Sequence, residues 1–144
     1  MSSLKLRRFV RHALIAASGE NPNAAQLGSA FDLLCQQLRA RLRPLFGGHA
    51  IRALFARAVH LAAVEFSWLS DVMPIAGDCC SNEAVAAAST TLPADAIAEG
   101  LAAVLANDIG LLITFIGDDF VMPLVQEAWG GLPEWAARIE DDHE

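Results

Sequence analysis

Two acidic residues sit where helical periodicity points toward a core. Advancing 100° per residue from residue 49 to 69 places Ile51, Leu54, Phe55, Ala58, Leu61, Ala62, Phe66 and Leu69 on one arc, with Glu65 inside it. The same construction over 94–116 groups Asp108 with Ile97, Leu101, Val104, Leu112 and Phe115. A lone buried carboxylate is costly, so each must find a cation, several donors or a metal, or else hold a proton. If they met, Glu65 and Asp108, helped by His60 or Arg57, would bind a small ligand or divalent metal, or work as acid and base. Four-helix carboxylate sites use a Glu-x-x-His repeat, which occurs here only as Glu140 with His143 near the end of the chain. No metal ligand set and no cofactor is therefore assigned. The competing structural reading, that each acid pairs with an Arg or caps a neighbouring helix, is the commoner fate of such groups.

Other reactive residue types are weaker pointers. His49, His60 and Ser67 share a polar stripe, but the two histidines lie about 16 Å apart along a helix axis and cannot share a metal within it. Gly47 and Gly48, with Arg43 and Arg52 four residues to either side, form a candidate phosphate or carboxylate site on free backbone N–H groups. The same pair also serves as an ordinary helix–helix turn, and P-loop and dinucleotide patterns are absent. Arg7, Arg8 and Arg11 suit either an acidic partner or the acidic half of this chain, and the second is favoured. Cys35 reads as a small hydrophobe beside Leu34 and Leu38. Cys79 and Cys80 lack CxxC spacing and read as plain thiols.

The elements that must position these residues are all helical. No alternating β-branched run is long enough for a strand. Residues 4–18 bury Leu6, Phe9, Val10, Ala13, Leu14 and Ala17 on one face. Asn23 with Gln26 reads as a capping box. The seam Leu27, Phe31, Leu34, Leu38, Leu42, Leu45 runs from it to Pro44 and the Gly pair. A third helix is expected over 49–69 and another from Thr91–Pro93 to Ile116. Residues 70–92 read as a connector or short helix. Gly117 and Pro123 imply a break or kink before a last segment, Leu124 to Trp129.

Charge is split along the chain. Residues 1–72 carry nine Lys/Arg and four Asp/Glu, whereas 73–144 carry Arg138 against thirteen acids, within an overall net charge of −7. Such a chain steers partners or copies of itself through complementary fields. The net acidity, the absence of Tyr and the 7% aromatic content argue against a nucleic-acid binder. The longest strongly apolar run, Ile109 to Ile116, is too short to span a bilayer, and Arg11 and His12 interrupt any signal-peptide core. With an odd cysteine count, these features set cytoplasmic residence as the expectation.

Arg41 to Leu69 (RLRPLFGGHAIRALFARAVHLAAVEFSWL) and Leu111 to Trp129 (LLITFIGDDFVMPLVQEAW) resemble segments of a group of short bacterial helical proteins of unassigned activity. The resemblance implies a small intracellular helical protein and carries over no functional residue.

The expectation is an all-α, single-domain bundle of about five to six helices over residues 1–139, with a solvated, disordered acidic tail at 140–144. Its expected work is association, as a homodimer or regulatory adaptor, through Leu27, Phe31, Leu34, Leu38 and Leu42. The alternative is a ligand-binding protein or enzyme built on core-facing Glu65 and Asp108.

Overall fold

The computed structural model describes residues 3–19, 21–72 and 92–130, and among these it is all-α, with no strand. Helix α1 is Ser3–Ser18, α2 is Ala24–Glu65, α3 is Leu69–Val72, α4 is Ala94–Ile116 and α5 is Asp118–Ala128. Cys79, Cys80, Pro74 and the acidic tail at 140–144 lie outside the described residues.

Each start and break has a local cause. Asn23 accepts from the Gln26 backbone N–H, and the Gln26 side chain accepts from the Asn23 backbone N–H, both at 2.9 Å, closing the capping box that opens α2. Although α2 is a single span in its bounds, it joins two helices at a kink, where Gly47 sits at φ 75°, ψ 159°, outside the helical region. The Phe31 and Phe55 rings nevertheless lie 6.3 Å apart, whereas 24 residues of straight helix would separate them by about 36 Å. The element is therefore a hairpin of two arms, residues 24–46 and 48–65, folded at Gly47. The second arm ends at Glu65, short of the expected Leu69, because Phe66 leaves helical geometry and the chain turns into α3. At the other end, Gly117 at φ 100° separates α4 from α5. The restart is at Asp118 rather than Leu124, so Pro123 lies within α5 instead of at a break.

The core is built around α4, which packs on α1, on α2 and on α5. Ile97, Leu101, Val104, Leu105, Ile109 and Leu112 are fully buried or nearly so, and Ala98, Ala102, Ala103 and Ala106 are buried on other sides. A helix that is apolar nearly all round is a core helix or a membrane span. Contrary to the expectation that no segment is long enough, α4 meets the length and composition of a span, because Asn107, Asp108 and Gly110 interrupt it without lowering the mean hydropathy of its most apolar 18-residue stretch below 1.7. In the bundle, 67% of that stretch is buried. Trp129 closes the far end, donating its Nε1–H to the Leu34 carbonyl at 3.1 Å and stacking on Phe9 at 5.9 Å.

Two glycines of α4 make opposite predictions. A Cβ on Gly100 would run into the indole of Trp68, whereas one on Gly110 meets only Leu6 Cδ2 at 3.7 Å, an ordinary contact. Gly110→Ala should stabilise by up to about 1 kcal/mol through helix propensity. Gly100→Ala gains the same propensity but must displace Trp68, and overpacking of about 1–3 kcal/mol should leave it the less stable of the two. Thermal melts of the two variants against the wild type check both signs.

Candidate functional site

The two acids are not neighbours in function or environment. Glu65 is the last residue of α2, at the edge of the bundle, and its side chain is 53% exposed. Both of its oxygens accept from Arg7, Oε1 from Nη1 and Oε2 from Nη2, each at 3.1 Å, in a bidentate fork. The expectation that Glu65 faces the core is thus corrected. Burial on this arm centres on Ile51, Phe55, Ala58 and Ala62, which leaves Leu61 and Glu65 on the flank facing α1.

Asp108 does face the core, at 7% exposure. Burial pushes its carboxyl up from 3.8 to about 7, and the Arg39 guanidinium acts in the opposite direction. Arg39, from the first arm of α2, also lies over the Phe55 ring of the second arm at 4.8 Å. One guanidinium therefore links the two arms and the central helix. Arg39 is the residue that sequence reasoning missed, because nothing in its local sequence beside Leu38 marks it out from the other arginines. Next to Asp108, the Asn107 amide donates to the Ala58 carbonyl at 3.3 Å, tying α4 to the second arm.

The remaining candidates do not join either acid. His60 and Arg57 are exposed on the second arm, and Arg43 and Arg52 are exposed on either side of the open hairpin tip at Gly47 and Gly48. Among the described residues no group of three or more His, Cys, Asp or Glu is placed to hold a metal. The proposed interface residues Leu27, Phe31, Leu34, Leu38 and Leu42 are all at most 4% exposed, inside this chain's own core. The seam is consumed by intramolecular packing and cannot serve as a surface between copies. Its period is the same whether the partner helix belongs to this chain or to another. Cys35 is buried with it.

The chain's two charged halves partly neutralise each other, as expected for the basic face of α1. Arg11 bonds Glu99 and approaches Asp95 at 4.0 Å, and Arg41 meets Glu127 at 2.7 Å.

Among the described residues, what the helices leave uncovered is a strip of α4. A groove of about 320 Å³ runs between α1 and the second arm of α2, with Leu6 and Arg7 on one wall, Leu61 on the other, and Gly110, Leu111 and Thr114 on its floor. The Arg7–Glu65 fork reaches from one wall to the other. Large apolar side chains stand exposed on the elements that form it: Leu4 on α1, Leu61 and Val64 on the second arm, and Phe115 on α4, with Val64 83% and Phe115 72% exposed. The sequence signal for this groove was Gly110 inside an otherwise apolar helix, together with Leu61 and Val64 one turn apart.

The chain matches no protein family, no curated protein and no solved structure.

Proposed function

We propose that this protein works by association, binding another polypeptide along the groove over α4 rather than transforming a substrate. The observation that carries this reading is the uncovered strip of the core helix beside Leu61, with Leu4, Val64 and Phe115 also exposed on the three helices that form the groove. Large exposed apolar side chains favour partner binding, since each contributes burial only when covered. The resemblance to short bacterial helical proteins and the cysteine usage support a bacterial cytoplasm as the setting for this activity. If copies of the chain self-associate, the groove replaces the Leu27–Leu42 seam as their meeting surface.

The enzyme or ligand reading has less support. It needed Glu65 and Asp108 to act together, and one is held in a surface ion pair while the other lies in the core beside Arg39.

Native mass spectrometry of the protein isolated gently from its own cells tests the proposal. The expected result is a retained second polypeptide, a copy or another protein, that Thr114→Glu releases while the helical fold survives. A bare monomer at low and raised ionic strength alike overturns it.

A further inference from the structure

We infer that the end of the bundle carrying the Gly47 and Gly117 turns docks on an anionic lipid bilayer, pressing apolar side chains into it and setting arginines against the lipid phosphates. This surface is separate from the groove over α4, and it goes beyond the association reading above.

The helix directions bring both turns to one end. Arg11 bonds Glu99 while Leu6 Cδ2 lies beside Gly110, so α1 runs antiparallel to α4 and starts next to its last turns. The first arm of α2 has Leu27 beside Ala98 and the Arg39 charge acting on Asp108, so it runs parallel to α4. Eight residues beyond Arg39, Gly47 comes level with the end of α4 and with Gly117. Leu4, Leu45, Phe115, Ile116 and Phe120 therefore gather at this end, and they are five of the eight large apolar side chains exposed among the described residues. Phe115 and Ile116 also close α4, which has the length and composition of a membrane span.

The shape of the end suits a bilayer. From Arg43 to Ala50 every residue but Phe46 is exposed, so the hairpin tip stands clear of the bundle. A Cβ built on Gly47, Gly48 or Gly117 would meet nothing within 4 Å. A protein partner needs a surface matched to these projections, whereas a bilayer accepts protruding side chains of any outline. Charge then selects the lipid. Arg43 and Arg52 are exposed on either side of Gly47 with no acid between them in sequence, and Lys5 adjoins Leu4. Against these three the end carries Asp118 and Asp119, so it is positive on a chain whose net charge is −7.

The test is sedimentation of the full chain with phosphatidylcholine vesicles, with and without phosphatidylglycerol, at low and raised ionic strength. The chain is expected to sediment with the anionic vesicles at low salt and to stay in solution with the neutral ones. Arg43→Glu with Arg52→Glu should lower vesicle binding by at least roughly ten-fold. Phe115→Ser with Leu45→Ser should lower it as much, and Asp119→Asn should strengthen it. All these positions are exposed, so circular dichroism should show the helices retained. No sedimentation with anionic vesicles overturns the inference, as does equal sedimentation with neutral ones. Binding that needs the arginines but is indifferent to Phe115 and Leu45 overturns the insertion of apolar side chains. A concentration-dependent dimer that Phe115→Ser with Leu45→Ser dissolves, without vesicle binding, assigns this end to a second copy of the chain and overturns the bilayer.

Discussion

Leu38→Asp is expected to unfold the chain rather than split an assembly. Leu38 is 1% exposed, and Leu27, Phe31, Leu34 and Leu42 around it are equally enclosed. The substitution removes a buried leucine, worth about 2–5 kcal/mol by truncation alone, and leaves a carboxylate without a partner in its place. Together these approach the whole stability of a domain, about 5–15 kcal/mol. Far-ultraviolet circular dichroism should show lost helix and no cooperative melt. A variant that keeps its helix content and melts cooperatively as a smaller species would return the seam to an interface between copies.

Asp108→Asn is expected to remove a pH dependence of stability rather than to shift stability equally at every pH. In the folded chain Asp108 holds its proton up to about pH 7, while the unfolded chain releases it near 3.8. Below that lower value both states are protonated and the group contributes nothing. As pH rises from there to about 7, the unfolded state loses a proton that the folded state keeps, so stability falls. Across the interval the loss is on the order of 4 kcal/mol, with the opposing pull of Arg39 already included. The amide introduced by Asp108→Asn cannot ionise, so the variant lacks this dependence. The melting temperature of the wild type relative to Asp108→Asn should therefore drop steadily between about pH 4 and pH 7, then level off. A difference that stays constant with pH would show that the burial of Asp108 exerts no such pressure on its proton.

The parts of the fold legible in the sequence are those set by neighbours along the chain. The capping box at Asn23 and Gln26, the turn at Gly47 and the break at Gly117 each depend on a few consecutive residues, and all three stand where those residues put them. Periodicity also placed α1 and α4 closely, and it put Asp108 on a buried face. It failed where the answer lay across the fold. The apolar arc is wide enough to admit Glu65, yet only the position of α1 and Arg7 decides that this edge of the arm faces outward. The Leu27–Leu42 stripe required a partner, and the sequence could not say that the partners were this chain's own helices. Arg39 gained its importance only once the hairpin brought Phe55 over it and α4 brought Asp108 near. The groove was hardest to read, since it is defined by what no helix covers.

The most direct measurement is site-specific photocrosslinking in the cell that makes this protein, with a photoreactive residue at Thr114 on the groove floor and, separately, at Gln36 on an exposed face of the first arm of α2. The account predicts one discrete crosslinked species from Thr114, lost when Val64→Glu and Leu61→Glu are added, and none from Gln36. No adduct from Thr114, or the same adducts from both positions, would contradict the assignment of this groove as the surface through which the protein acts.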